Sequence, residues 1–234
     1  MNKLLVCLLF FLLAFNIFFV NTSGVYAHEA YTFPVASDGQ IDEALQNTVP
    51  LRFLPGNTFY FLIRIKENIE RFFQPSSVNK ASFDQILATK RIKETYLLIG
   101  KNDKKRASKN LIAYSKRLDK MVGQLEKARG QKQDVVKQVM EIAEGLKNQE
   151  TLLLATHQKW DLAEDDFDFE QNYKKALESF TRAALALNEV APGIKNRFKT
   201  ATISASVKEA SPSPEPADNL FSASPSAQPR RIIY

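Results

Sequence analysis

Cysteine is almost absent from this sequence. Its single cysteine, Cys7, lies in the first apolar stretch, and Val6 precedes it where a lipoprotein signal requires a small residue. If that stretch is removed as a signal, the mature chain has no thiol, which excludes a disulfide, a thiolate metal site and a cysteine nucleophile. The stability of the folded part then depends on packing alone.

Histidine is equally scarce. His28 lies at the predicted end of a signal segment, and His157 has no second histidine at helical distance, so a metal or haem site lacks ligands. The acidic residues from Glu164 to Glu170 offer the oxygen ligands that calcium prefers. They lack the glycine and the terminal glutamate of the known calcium loop, which favours helix capping over calcium binding.

Other marks of a reactive site are also missing. The sequence has no glycine-rich phosphate loop and no serine in a nucleophile elbow, and its paired carboxylates do not stand in apolar surroundings. We therefore predict no catalytic residues, no cofactor-binding residues and no metal ligands, and a protein that is not an enzyme. The competing hypothesis, a hydrolase or a metal protein, requires titratable groups that converge in a pocket.

Long apolar runs are confined to the start of the chain. Met1–Lys3 is a short basic segment, Leu4–Val20 is almost wholly apolar, and Val25–Ala27 has the small-x-small pattern of a signal cleavage site. We predict that residues 1–27 are a signal peptide and that the protein is secreted or held at the cell envelope. The alternative is an uncleaved membrane anchor formed by residues 4–20, since that run is near the lower length limit for a membrane span. We expect membrane contact only through this segment, if it is retained.

The charge is positive overall and unevenly distributed. The formal net charge is +6, and the segment from Lys101 to Gly130 holds ten basic and three acidic residues. The segment from Glu164 to Val190 holds three basic and seven acidic residues, so the two segments can attract each other within the fold. We predict that the basic helix Lys101–Arg129 contacts an unknown protein or an anionic cell-envelope surface. Nucleic acid is a poor fit for an exported protein without a recognisable binding motif.

Two amphipathic helices between Leu111 and Leu154 are the strongest structural signal. Apolar residues recur at spacings of three and four, which places a stripe on one side of each helix, and Gly130 marks the junction. A short connection of this kind favours an antiparallel hairpin. Burial of both stripes in a helical bundle is the preferred interpretation, and a partner-binding coiled coil is the alternative. The stripe residues are Leu111, Tyr114, Leu118, Met121, Leu125 and Ala128, then Val135, Val139, Ile142, Leu146 and Leu153.

The residues before this pair predict a leader and two further helices. Residues 28–53 are punctuated by proline and glycine, which predicts an extended leader with at most one helical turn near Asp42–Gln46. A turn then precedes a helix over Phe59–Phe73, which is so rich in apolar residues that we expect it to be mostly buried. The next helix begins after Pro75 and runs to about Ile99, and Asn102 or Asp103 caps the basic helix that follows.

The residues after this pair predict one last helix and a tail. Tyr173, Ala176, Phe180 and Leu187 form its stripe, and residues 199–234 are rich in serine, alanine and proline, which predicts a disordered tail. The predicted fold is all-α, an antiparallel helical bundle of about five helices over residues 54–198.

Three short motifs occur near the start of the chain: Tyr31-Thr-Phe-Pro34, Leu54-Pro55-Gly56 and Tyr60-Phe-Leu-Ile-Arg64. They resemble the tyrosine-x-leucine-proline, leucine-proline-glycine and tyrosine-x-leucine-lysine-arginine motifs of a bacterial family of exported helical proteins of unknown function. The segment Ala88-Thr-Lys90-Arg91-Ile92-Lys-Glu94 is similar to its second helix, and the resemblance covers about Tyr31–Leu154. It implies a helical fold and export, and no catalytic residues. The chain departs from the pattern at Asp38–Phe53, which looks inserted, and at Ile63 and Gln85.

A second likeness concerns the last helical hairpin, residues 160–187. Its aromatic and alanine residues resemble the offsets of a tetratricopeptide repeat, but Ala163-Glu164 stands where leucine-glycine is expected. One isolated repeat is also unstable alone, which favours an ordinary hairpin over a repeat. The residues at these offsets are Trp160, Phe167, Tyr173, Ala176, Phe180 and Ala183.

These observations predict a non-enzymatic, exported helical module that interacts with a protein or with the envelope surface. The alternative is an extracytoplasmic sensor or chaperone-like protein that holds peptides in an apolar groove between helices. The two differ in the surface they need, since a peptide binder requires an exposed apolar groove.

Overall fold

The computed structural model describes residues 34–160 and 167–200, so the predicted signal peptide, part of the acidic run and nearly all of the predicted tail lie outside the described residues. All regular structure in the described part is helical, which confirms the all-α prediction. A short 3₁₀ helix, Ile194–Arg197, follows the last α-helix. The α-helices are α1 (Asp38–Gln46), α2 (Tyr60–Phe72), α3 (Ser77–Gly100), α4 (Lys104–Gly130), α5 (Val136–Trp160) and α6 (Phe167–Val190).

Helices α3 to α6 form a four-helix bundle in which α3 lies between α4 and α5, and α6 closes the ring on the opposite side. The start of α3 meets the end of α4, where the Ser77 hydroxyl donates to the Gln131 side chain at 3.1 Å. The end of α5 meets the start of α6, where the rings of Trp160 and Phe169 stack with centroids 3.6 Å apart. Helices consecutive in the chain therefore run in opposite directions.

The expected hairpin of α4 and α5 is wrong in its packing, although the two helices do run in opposite directions. They lie diagonally across the bundle, and their apolar stripes contact α3 and α6 instead of each other. The reason is the width of the buried face of α4, which extends from Ser108, in contact with α6, to Arg117, in contact with α3, and therefore needs a neighbour on each side. The short connection after Gly130 only carries the chain across the end of the bundle.

The leader contains a nine-residue helix, α1, which is longer than the single turn expected near Asp42–Gln46. Ser37 and Gln40 form a capping box, in which each side chain accepts a hydrogen bond from the other residue's backbone N–H. Ile41 and Ala44 are buried on the side of α1 that packs against α5. The ammonium group of Lys93 donates to the backbone carbonyl of Leu45, at the end of α1, at 2.7 Å.

Helix α2 contradicts the expectation that Phe59–Phe73 is mostly buried. Its bounds agree with that expectation to within one residue, but its one buried residue is Glu67. The helix lies on the outside of the bundle against α3, and its apolar side faces solvent. The physical reason is that its polar side meets partners of opposite charge on the bundle, as described below.

Candidate functional site

The polar residues of α2 form a row along the side that faces the bundle. Tyr60, Arg64, Glu67 and Arg71 recur at spacings of four, three and four, which places them on one face of a helix. The Tyr60 hydroxyl donates to the Glu94 carboxylate of α3 at 2.8 Å. Because Tyr60 meets the end of α3 and Arg71 meets Asp84 near its start, α2 runs antiparallel to α3.

Arg91 of α3 is the centre of this contact. Its side chain is fully buried, and its guanidinium forms ion pairs with Glu67 of α2 and with Glu94 at 2.6 Å on its own helix. It also donates to the Tyr60 hydroxyl. The side-chain amide of Asn110, on α4, donates to the backbone carbonyl of Arg91 at 2.7 Å, so residues of three helices contact Arg91.

Asp84 is a second centre, about two turns of α3 away from Arg91 in the direction of the N-terminus of that helix. Its carboxylate is fully buried and accepts two hydrogen bonds from Nε of Arg71, at 2.8 and 2.9 Å. Arg117 of α4 donates to the same carboxylate at 3.0 Å, and its other terminal nitrogen donates to Asn68 of α2 at 3.4 Å. The charge cluster thus comprises Tyr60, Glu67, Arg71, Asp84, Lys90, Arg91, Glu94, Asn110 and Arg117.

The pKa shifts of Glu67 and Tyr60 favour the protonation states in which these two residues take part in the cluster. Burial alone would raise the pKa of Glu67, but the charge of Arg91 and a 2.6 Å hydrogen bond from Lys90 outweigh burial, so that pKa lies below its usual value. Burial and the neighbouring Glu94 raise the pKa of Tyr60, which therefore stays protonated and donates. Each carboxylate is held by cations inside the contact between helices. The cluster is therefore suited to positioning α2 rather than to acid–base chemistry.

The opposite side of α2 is an exposed apolar face. Its side chains are between 50% exposed, at Leu62 and Ile65, and 78% exposed, at Phe72. A contiguous apolar surface of this kind is unusual on a folded domain, which makes this side of α2 a candidate interaction site. The apolar face consists of Phe61, Leu62, Ile65, Ile69, Phe72 and Phe73.

A row of cations on α4 runs beside this apolar face. Arg106, Lys109, Lys116 and Lys120 recur at spacings of three, seven and four, and all four are exposed. The turn before α2 brings Gly56 against Arg106, because a Cβ on this glycine, whose φ is 106°, would lie 2.8 Å from the guanidinium. At the other end of α2, burial and the charges of Arg117 and Arg71 lower the pKa of Lys120. We call Lys109, Lys116 and Lys120 the lysine row.

Part of the predicted basic helix Lys101–Arg129 is paired within the fold. Arg117 belongs to the charge cluster, and Arg129 pairs with Glu189 of α6 at 2.7 Å. The latter contact places the basic and the acidic segment side by side, as their opposite charges suggest. The lysine row, in contrast, has no carboxylate within 4 Å among the described residues.

The histidine and the acidic residues considered above lie away from this surface. His157 is half-buried and contacts the Tyr173 ring, with centroids 4.8 Å apart. Asp168 and Glu170 lie in the first turn of α6, where acids interact favourably with the helix dipole, while Asp165 and Asp166 are outside the described residues. Within residues 34–160 and 167–200, no group of three or more histidine, cysteine or acidic residues is placed to hold a metal ion.

The described charge cluster spans residues from Tyr60 to Arg117. Residues 52–149 match the family model of a domain of unknown function, DUF5667. The DUF5667 match therefore contains the whole cluster, the apolar face and the lysine row, and it includes α2, α3, α4 and the first part of α5. Comparison with curated proteins and comparison with solved structures each gave no significant match.

The charge cluster was not predicted from the sequence, although two signals for it are present. The polar residues of α2 have a helical spacing as regular as that of its apolar residues, and Asp84 and Arg91 stand seven residues apart in α3. Several residues that carry the resemblance to exported helical proteins, including Tyr60, Arg91 and Glu94, lie in this cluster. In this structure these three residues hold α2 on the bundle.

Proposed function

We propose that this chain is an exported, non-enzymatic module that binds an anionic surface of the cell envelope. The observation that carries this proposal is the exposed lysine row of α4 beside the apolar face of α2. Its lysines have no carboxylate partner within 4 Å in the described part of the chain, so their charge is available to a ligand. A surface that combines cations with apolar side chains suits an extended anionic layer better than a small substrate.

The contribution of the lysine row to the binding free energy follows from the electrostatic attraction between lysines and an anionic surface. A lysine near an anionic membrane surface contributes about 1 kcal/mol, and the attraction is screened over about 10 Å in 0.1 M salt. The three lysines Lys109, Lys116 and Lys120 together then contribute about 3 kcal/mol, or about a hundredfold in affinity. Binding is therefore expected to weaken steeply as the salt concentration rises.

A charge-swap experiment tests the proposal. The full chain is titrated with vesicles of phosphatidylglycerol and phosphatidylcholine, and with vesicles of phosphatidylcholine alone. Insertion of the apolar residues 4–20 does not depend on lipid charge. Its contribution to binding is therefore the same for both kinds of vesicle and cancels in the difference between the two binding free energies. The variant Lys109→Gln, Lys116→Gln, Lys120→Gln is expected to lose most of that difference, about a hundredfold.

The matched control carries the same change of charge elsewhere on the bundle. Lys137 and Lys147 of α5 and Lys175 of α6 are exposed and lie on helices that do not carry the lysine row. Their replacement by glutamine is expected to change the affinity for anionic vesicles by less than about threefold, the effect of net charge alone. Equal losses in the two triple variants would show that the lysine row has no special role.

A second candidate function is an extracytoplasmic sensor or chaperone-like protein that binds peptides. The exposed apolar face of α2 favours it, because such a protein presents apolar surface in its native state. That face is the outer side of a single helix and is convex, whereas peptide binders use a groove between elements. Saturable binding of an extended apolar peptide to the native chain, lost on Ile65→Ser, would favour this candidate over surface binding.

Export and family origin are part of the proposal. The predicted signal peptide, residues 1–27, lies outside the described residues, and the tyrosine-x-leucine-proline opening and the bacterial origin remain predictions. Within residues 34–160 and 167–200, no helix combines the length and the hydropathy needed to cross a bilayer. The mass of the mature protein and its partition between membrane and medium test export, and an intact chain in the cytoplasmic fraction would contradict it.

A further inference from the structure

We infer that α2 lies in the plane of an anionic lipid bilayer and inserts its apolar face into the head-group region. This inference rests on the proposed function, since it identifies the anionic surface as lipid. In-plane membrane helices have large apolar and aromatic residues on one face and cations at the boundary of that face. The apolar face of α2 and the lysine row of α4 together have this arrangement.

The geometry of α2 shows how the two features join. Phe61, Ile65, Asn68 and Phe72 form a row at spacings of four, three and four, and Asn68 in that row accepts a hydrogen bond from Arg117 of α4. This row is therefore the flank of the apolar face that leads towards α4. The remaining apolar residues, Leu62, Ile69 and Phe73, lie further out on the same exposed side.

The lysine row continues the surface on the α4 side of this flank. Lys120 and Lys116 lie on the side of α4 next to the position of Arg117, and Arg106 at the other end contacts the turn before α2. Lysine stems are long enough to let the ammonium groups reach lipid phosphates while apolar neighbours insert. Aromatic side chains occur near both ends of the inserted face, at Phe61 and at Phe72, and aromatic rings favour the membrane interface.

Charge argues for lipid over a second copy of this chain. A second copy that packed through its own apolar face would bring another lysine row of the same sign and no row of carboxylates to neutralise either one. Glu70, which lies 3.4 Å from Lys66, is the exposed carboxylate on α2 itself. Anionic head groups, in contrast, neutralise the lysines and accept the apolar face at the same time.

The charge cluster explains why the apolar face stays outside before any lipid is met. Rotation of α2 to bury its apolar face would remove Glu67 from Arg91 and Arg71 from Asp84. Arg91 and Asp84 are fully buried, and buried charges that lose a partner are strongly destabilising. The helix is therefore preorganised with its apolar face outward.

A depth measurement at α2 tests the inference. A nitroxide is attached to the full chain that carries Cys7→Ser and Ile65→Cys, and the protein is mixed with phosphatidylglycerol and phosphatidylcholine vesicles. The label is expected to become several-fold less accessible to a water-soluble nickel complex and more accessible to oxygen. The same label at Lys175→Cys, which is exposed on α6, is expected to stay in water.

The outcomes separate the inference from the proposed function. A label at position 65 that stays in water while binding still depends on the lysine row would overturn the inference and leave the function standing. Loss of nickel accessibility without vesicles, with spin–spin broadening that rises with protein concentration, would identify a second copy as the occupant and also overturn it. Failure of both lysine-dependent binding and insertion would remove the function as well.

An affinity comparison gives a second test with a matched control. Ile65→Ser with Ile69→Ser removes two inserted side chains, and each is expected to weaken binding to anionic vesicles by about tenfold. Met140→Ser with Leu185→Ser changes two similarly exposed apolar residues on α5 and α6, and is expected to leave that affinity within about twofold. Equal losses in the two pairs would contradict insertion through α2.

Discussion

At the scale of single residues, two fully buried charged groups hold α2 to the bundle by its polar side. The guanidinium of Arg91 pairs with Glu67 and Glu94 and donates a hydrogen bond to Tyr60. The carboxylate of Asp84 pairs with Arg71 and Arg117. The cluster is not fully satisfied, since Nε of Arg91 and Oε1 of Glu94 have no hydrogen-bond partner in the described part of the chain. A buried network of this kind positions an element more than it stabilises the fold.

The first prediction at this scale concerns Arg91. Arg91→Met leaves two buried carboxylates without their main partner and is expected to lower the free energy of unfolding by about 3 kcal/mol. The control is Arg182→Met, which breaks the exposed ion pair with Asp119 and is expected to cost less than about 1 kcal/mol. Denaturant unfolding of the two variants measures both values. Equal losses would mean that the buried cluster does not fix α2.

The second residue-scale prediction is a pH dependence. The pKa of Glu67 is lower in the folded state, so its contribution to stability is present above its unfolded value of about 4.3 and is lost as the pH falls through the folded pKa. Glu67→Gln is therefore expected to be less stable than the wild type at pH 7, and the difference is expected to shrink below about pH 4.3. Denaturant unfolding from pH 7 to pH 3 measures this difference.

Glu150 supplies a control of opposite sign. Burial raises the pKa of Glu150, although hydrogen bonds from Thr200 oppose the rise. Its ionisation costs stability as the pH rises through the window between the unfolded and the folded pKa. Glu150→Gln is thus expected to gain stability relative to the wild type as the pH rises above about 4.3. The same slope in both variants would contradict the assigned directions.

At the scale of helices, the contrast between α2 and α3 shows how burial is shared. Helix α3 is buried on most of its circumference because α2, α4 and α5 all pack against it, which explains why its apolar residues do not form one clean stripe. Helix α2 has a clear amphipathic pattern, but the apolar side is the exposed one. A strong apolar stripe shows that a helix is amphipathic. Which of its two faces is buried depends on the neighbouring helices.

The prediction at this scale uses two glycines in helix interiors. A Cβ on Gly145 of α5 would lie 1.8 Å from Nε2 of the buried Gln85, so this glycine allows α5 to approach α3 closely. Gly123 of α4 has no atom within 4 Å of such a Cβ. Gly123→Ala is expected to stabilise the protein by up to about 1 kcal/mol, and Gly145→Ala to be about 2 kcal/mol less stable than that variant. Thermal and denaturant unfolding measure the stability of both variants. Equal gains in stability would show that the contact between α3 and α5 accommodates a Cβ at position 145.

At the scale of the whole molecule, the path of the chain places the lysine row of α4 next to the apolar face of α2. Because α4 and α5 lie diagonally across the bundle, α4 is a neighbour of α3, so that α2 packs against α3 and also reaches α4 through the hydrogen bond from Arg117 to Asn68. The acidic helix α6 occupies the other flank of α4, where it pairs with Arg129 and Asp119. The lysine row is thereby directed to the same side as the apolar face, which is the surface proposed to meet lipid.

Much of the fold was predictable from local patterns. Stripes such as Leu111, Leu118 and Leu125 are fully or almost fully buried as expected, and Asp103 caps α4 by accepting a hydrogen bond from the backbone of Arg106. The capping box at Ser37 is an equally local signal that was not recognised in the sequence, and it defines the start of α1. These features depend on residues a few positions apart, so their energies are decided within one helix.

The charge cluster was not predictable in the same way because its partners are distant in the chain. Arg71 and Asp84 are thirteen residues apart, and Arg117 reaches Asp84 across thirty-three residues. A charged residue on a helix is usually solvated, so its pattern alone does not reveal burial. Only the packing of α2 onto α3 and α4 makes these residues a cluster.

The sequence by itself determined that this protein is helical and where most of its helices start and end, α1 excepted, since periodicity and caps act locally. It also determined the excess of positive charge on α4 and the scarcity of groups for redox or metal chemistry. Only the tertiary structure decided which side of α2 is buried and which helices are neighbours. Buried ion pairs and the sharing of apolar faces depend on residues brought together from distant parts of the chain, and those contacts turn the apolar side of α2 outward beside the lysine row.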